Sequence, residues 1–199
     1  MSERIGVFGG TFDPIHYGHL IAAAELRHAL NVHRVLFVPA PRPPHKESSV
    51  VGTDSQRLEM VERAIAGESG FEVSRIEFDR SGPSYTVDTL ADLAASHPGA
   101  ELFLFLGEDA LRDLPTWRGP RRILELAHLA VATRPRSALN LEAFLHALPG
   151  AKDRFTLVTT PSIGISATDL RSRVRENRPV RFQTPDVVID YIQDHALYQ

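Results

Sequence analysis

The chain has 199 residues, 43% hydrophobic and 24% charged, with a formal net charge of −3. That composition is globular and long enough for a substantial core, and its net charge gives no sign of a nucleic-acid or membrane-surface protein. There is no cysteine, which excludes a disulfide framework, a thiolate metal site and a cysteine nucleophile. No signal-peptide pattern opens the chain, and no apolar run approaches the roughly 18–20 residues that span a bilayer. A cytoplasmic protein is expected, with no nucleic-acid or membrane partner, and a homo-oligomer is left open.

Short apolar runs then alternate with amphipathic stretches. "RIGVF" (4–8) predicts a buried strand and "HLIAAAELRHAL" (19–30) a helix stopping near Asn31. "RVLFVPA" (34–40) predicts a strand ending at Pro39. "TDSQRLEMVERAIAG" (53–67) predicts a helix with a cap at its start and Gly67 at its end. "FEVSRIEF" (71–78) is expected to be extended, "YTVDTLADLAASHPG" (85–99) helical, and "ELFLFLG" (101–107) a strand. A helix over 120–128, a strand over 129–134, a helix over 140–148 and a strand over 155–160 follow. Helices over 166–177 and 185–197 complete the series. The alternation predicts an α/β fold, a doubly wound and mostly parallel sheet with helices on both faces. One domain is expected over 1–199, its site completed by helices from about residue 166. The irregular stretch "PAPRPPHKESSVVGTDS" (39–55) is expected to be a mobile active-site loop.

In such sheets ligands bind beyond the carboxyl ends of the strands. The first strand leads there into "GVFGGTFDPIHYGHL" (6–20). Gly9 and Gly10 lack side chains, so a ligand can approach the backbone. Amides there and at the next helix N-terminus are donors for an anion. His16 and His19, three residues apart at a helix start, can project toward one point and donate to phosphate oxygens. Neither the Walker GxxxxGKS/T pattern nor GxGxxG occurs. Taken singly, two glycines also make an ordinary turn and a helix-start histidine an ordinary cap. A His-x-x-His pair can hold a metal, but no acidic or cysteine partner stands at suitable spacing, so no protein metal site is expected.

The run "GGTFDPIHYGH", with the tetrad His16-Tyr17-Gly18-His19, resembles the T/HxGH signature of a nucleotidyltransferase superfamily shared with class I aminoacyl-tRNA synthetases. In its GGTFDPxHxGH form it resembles the bacterial nicotinate-nucleotide adenylyltransferases. The resemblance implies transfer of AMP from ATP to nicotinate mononucleotide, giving deamido-NAD and pyrophosphate, in NAD biosynthesis. "GISATDLRSR" (164–173) resembles the superfamily's ISSTxxR motif, with Ala167 in place of the second serine. Read alone, Ser166 and Asp169 also form a capping-box start. "GPSYTVDTL" (82–90) resembles the family's SYTxDTL segment, and "GEDALRDLPTW" (107–117) its GxDxxxxLxxW pattern. "PRPPHK" (41–46) contains the PPHK lysine that the resemblance assigns to the phosphates.

The resemblance implies catalytic roles for His16, His19, Lys46 and Arg171. It implies ATP contacts from Gly9, Gly10, Thr11, Phe12, His16, His19, Gly107, Asp109, Ser166, Thr168 and Arg171. Nicotinate-nucleotide contacts fall to Lys46, Tyr85, Thr86, Asp109 and Trp117. The amides of the helix opening at Tyr85 and Thr86 could receive the nicotinate carboxylate. Trp117, the single tryptophan, would stack on its ring, though an aromatic there also suits a loop anchor. Mg²⁺ is expected with ATP, held mainly by phosphates and water. Two other readings stay open: a superfamily adenylyltransferase with phosphopantetheine as acceptor, and a non-catalytic nucleotide-binding regulator.

Overall fold

The apolar run Arg4–Gly10 forms β1, near the centre of a six-stranded sheet in a computed structural model that describes residues 2–41, 51–80, 82–135 and 139–199. The other strands are β2 (Arg34–Pro39), β3 (Phe71–Val73), β4 (Glu101–Gly107), β5 (Ala127–Thr133) and β6 (Phe155–Thr159). Their order is β3-β2-β1-β4-β5-β6 and every pairing is parallel. Parallel pairing needs crossovers, which the helices between the strands supply, and two more helices follow the last strand. The helices are α1 (Tyr17–Ala29), α2 (Asp54–Ile65), α3 (Thr86–Ser96), α4 (Glu108–Asp113), α5 (Pro120–Leu126), α6 (Leu141–Ala147), α7 (Ala167–Arg175) and α8 (Asp186–Asp194).

Strand alternation separates two cores. One face presents Ile5, Val7, Leu102, Leu104, Leu129 and Val131 to Leu90, Leu93, Leu111, Ile123 and Phe144 of the α3–α6 side. The other presents Val35, Phe37, Phe103, Phe105 and Ala130 to Ala23 and Leu26 of α1, Met60 and Val61 of α2, and Val188 and Ile192 of α8. Both faces are covered, as an all-parallel sheet requires.

Three departures from the expected elements matter most. Only Phe71–Val73 of the extended stretch 71–78 is strand. As an edge strand, β3 pairs only with Val35–Phe37; the chain then turns, with the amides of Phe78 and Asp79 donating to the Arg75 carbonyl. The helix expected over 120–128 ends at Leu126, because Ala127 already pairs with Leu102 in the sheet. A short helix at Glu108–Asp113 occupies a stretch read only as a motif. The cap at Thr53 stands: its Oγ1 accepts from the Gln56 amide at 3.3 Å and its amide donates to Gln56 Oε1 at 2.9 Å. Gly67, just past α2, takes the left-handed φ of +87° that ends helices.

Strand order reverses between β1 and β4. At that switch point the carboxyl ends of both strands diverge to open a crevice. No described helix is long and apolar enough to cross a membrane.

Candidate active site

A cleft of about 870 Å³ opens at the switch point. Its walls contain Gly9, Gly10, Thr11, Phe12, His16 and His19 from the turn after β1, Gly107, Asp109 and Trp117 after β4, and Thr168 and Arg171 of α7. Of the residues singled out from sequence, Tyr85, Thr86 and Ser166 are not on these walls. Lys46, with Arg42 and His45, lies outside the described residues, as does most of the loop expected to be mobile.

Gly9 is the last residue but one of β1 and Gly107 ends β4, and a Cβ built on either meets nothing within 4 Å. Protein packing does not demand these glycines, so their missing side chains widen the cleft. Gly10 is different: a Cβ there would lie 2.7 Å from the ring of Phe12. That ring is buried, although the Phe12 backbone sits at a φ of +48°, where non-glycine residues are uncommon.

His16 precedes the first residue of α1 and is 6% exposed. Its amide donates to Nδ1 of His19 at 3.3 Å. A neutral His19 that accepts at Nδ1 carries its proton on Nε2, so that edge is the donor. The two imidazoles stack with centroids 3.7 Å apart. Phe12 meets His19 edge-on at 5.1 Å. Burial pushes the His16 pKa down to about 4, a backbone hydrogen bond opposing weakly. His16 is therefore neutral at pH 7, and its buried Nδ1 has no hydrogen-bond partner among the described residues.

A buried network missed by the sequence reading holds this turn. Asp13 is 2% exposed. Its Oδ2 accepts from the Val51 amide at 2.8 Å, and its Oδ1 from the Gly52 amide at 3.0 Å and the Tyr198 hydroxyl at 2.7 Å. Burial and then the Asp13 charge push the Tyr198 pKa up, so the phenol keeps its proton and donates. Arg57 is fully buried. Its guanidinium donates to the carbonyls of Gly52 (3.2 Å), Thr11 (2.8 Å), Ala40 (2.8 Å) and Pro41 (3.2 Å) and to Asp54 Oδ1 (2.8 Å). It thus joins the exits of β1 and β2 to the start of α2. The signal for Arg57 lay in α2's spacing, since Met60 and Val61, three and four residues on, are core. Tyr198 had no such signal.

Arg171 reaches the same turn: Nη1 donates to the Asp13 carbonyl at 2.8 Å and stands 3.9 Å from Oδ2, while Nη2 donates to Thr168 Oγ1 at 3.5 Å. Ser166 caps α7, its Oγ accepting from the Asp169 amide at 3.1 Å; the hydroxyl is engaged as the SxxD spacing predicts. Asp109 is exposed and pairs with Arg112 at 3.0 Å, a contact of little energetic weight. Tyr85 precedes α3 and takes the Arg118 guanidinium over its ring at 4.7 Å, and Arg118 also lies 3.5 Å from Asp88. The α3 N-terminus therefore adjoins the segment that carries Trp117, outside the main cleft.

A fully parallel sheet in this order, with a glycine and histidine turn at its switch point and no Walker lysine, defines an α/β nucleotide-handling domain. The chain belongs to the cytidylyltransferase-like family, whose model matches residues 7–173, and within it to the nicotinate-nucleotide adenylyltransferases. It is 48% identical over 197 residues to a protein of Thermomicrobium roseum named "Probable nicotinate-nucleotide adenylyltransferase", covering 99% of this chain and 92% of that one. It is 46% identical over 196 residues to a protein of the same name from Thermus thermophilus, covering 98% of this chain and all of that one. The Plasmodium falciparum nicotinic acid mononucleotide adenylyltransferase complexed with NaAD superimposes with a TM-score of 0.82 at 21% identity, over 98% of this chain and 97% of that one. At that identity the likeness concerns the fold alone.

Proposed function

We infer that this chain transfers the adenylyl group of ATP to nicotinate mononucleotide, releasing pyrophosphate and forming deamido-NAD, in the cytoplasm. The observation that carries this reading is one cleft joining the His16–His19 turn, the Trp117 segment and Arg171, in a chain nearly half identical to its relatives over full length.

An oxygen of the nicotinate nucleotide's 5′-phosphate attacks the α-phosphorus of ATP, and the bond from that phosphorus to the pyrophosphate oxygen breaks. Such a transfer depends on positioning and charge stabilisation rather than on a protein nucleophile. His19 donates from Nε2 to the phosphates, and Arg171 contributes the positive charge beside them. His16, neutral in the free chain, gains a stronger donor if the phosphates raise its pKa. Gly9 and Gly107 leave room for the nucleotide, and Thr168 offers a hydroxyl. The indole of Trp117, half-buried on the cleft wall, suits the nicotinate ring, with its carboxylate toward the amides at the start of α3. In this reading Lys46 also serves the phosphates.

Mg²⁺, when bound with ATP, neutralises triphosphate charge. The described residues contain no group of three His, Cys, Asp or Glu side chains that could hold a metal. Phosphate oxygens and water would hold the ion, with Asp109 and Asp113 exposed carboxylates on the cleft wall.

The test follows pyrophosphate from ATP and Mg²⁺ with nicotinate mononucleotide, nicotinamide mononucleotide or phosphopantetheine as acceptor. Fastest release with the nicotinate form is expected. Release only with another acceptor overturns the assignment of Trp117 and α3, and ATP binding without release from any acceptor overturns the catalytic reading.

A further inference from the structure

We infer that Tyr198 is a positioning residue: its hydroxyl fixes the Asp13 carboxylate and thereby keeps the Arg171 guanidinium on the cleft wall. The inference rests on the reading that Arg171 faces the transferred phosphates. Tyr198 follows α8, on the far side of the sheet from Trp117, and no phosphate chemistry requires it there. Yet its hydroxyl reaches Asp13 Oδ1 at 2.7 Å in a buried setting. With the amides of Val51 and Gly52 it completes an all-neutral donor set around that carboxylate.

The nearby cation decides what the hydroxyl does. Arg171 bonds the Asp13 main-chain carbonyl at 2.8 Å but stays 3.9 Å from Oδ2. A guanidinium bonds a carboxylate more strongly than a carbonyl, and a carboxylate that loses a donor has acceptor capacity to spare. Without the Tyr198 hydroxyl, Oδ1 keeps only the Gly52 amide, the carboxylate is no longer held in its present orientation, and Arg171 gains by swinging from the carbonyl onto it. That movement withdraws it from the cleft and neutralises the charge the phosphates need. Arg57 cannot take its place, because its donors are already spent on four carbonyls and Asp54.

The experiment is a double-mutant cycle on kcat with Tyr198→Phe and Arg171→Ala. Tyr198→Phe alone is expected to lower kcat about tenfold, within the range that misplacement of a remote group produces. In the Arg171→Ala background the same change is expected to cost less than about twofold, since its target is gone. An equal factor in both backgrounds overturns the inference, and so does a lowered Tm with wild-type kcat. The cycle is repeated on the Kd of α,β-methylene ATP, measured by calorimetry, where the same non-additivity is expected and additivity overturns the inference. If wild-type protein releases no pyrophosphate with nicotinate mononucleotide, the functional reading fails and the Kd cycle still decides the role of Tyr198.

Discussion

The imidazoles of His16 and His19 lie 3.7 Å apart and within 19° of parallel, yet they are not equivalent groups. His19 Nδ1 is committed to the His16 amide, whereas the His16 ring is buried and its Nδ1 has no hydrogen-bond partner among the described residues. Two histidines three residues apart thus become an oriented donor and a ring held neutral, and each has its own measurable consequence.

The His16 pKa of about 4 lies below its ordinary value of 6.5. The unfolded chain therefore binds more protons in that interval, and stability falls as pH drops from about 6.5 to about 4. The loss from this group is expected to reach up to about 3 kcal/mol. Urea denaturation at pH 7 and pH 4.5 should show a smaller difference for His16→Asn than for wild type; equal differences would remove His16 as the source.

His19→Ala deletes the donor aimed at developing phosphate charge. Loss of one such donor costs roughly 10²–10³ in kcat, and thermal unfolding should remain cooperative. Near-wild-type turnover would take His19 out of the mechanism.

Arg57→Leu leaves the carbonyls of Thr11, Ala40, Pro41 and Gly52 without their buried donor. Each such loss costs about 1–3 kcal/mol when nothing replaces it, so destabilisation of at least about 3 kcal/mol is expected in chemical denaturation. A change below 1 kcal/mol would mean that water enters and satisfies these groups.

Gly9→Val adds a side chain where a Cβ meets no atom of the protein. Valine suits a strand better than glycine, so stability is expected to hold or rise by up to about 1 kcal/mol. ATP affinity is expected to fall at least about tenfold in calorimetry. Unchanged affinity would place the nucleotide elsewhere in the cleft.

If the α3 amides receive a carboxylate, nicotinate mononucleotide should exceed nicotinamide mononucleotide by at least about 1–2 kcal/mol in kcat/KM, the margin of a charge-assisted contact over a neutral one. Equal values for the two acceptors would defeat that assignment.

Much of this was legible in the chain. Apolar runs marked β1, β2, β4 and β5 because the inner strands of a sheet covered on both faces need them nearly continuous. The turn after β1 was legible because glycine and histidine at a strand's carboxyl end have few other uses together, and Thr53 and Ser166 announced their helix starts through local hydrogen bonds. The stretch 71–78 misled because its alternation fits a turn that buries Glu77 against Thr89 as well as it fits a strand. Glu108–Asp113 escaped because six residues are too few to show a helical period.

The sequence by itself determined most of the elements, the two-faced core and the histidine turn, since each rests on residues within one helix or strand of one another. Tertiary structure alone decided that Asp13 would meet Tyr198 across 185 positions and Arg171 across 158. It also decided that Arg57 would be spent on carbonyls rather than offered to a ligand, and that His16 would be desolvated to neutrality. Those outcomes depend on burial and on partners brought from other strands and helices, which spacing along a chain does not encode.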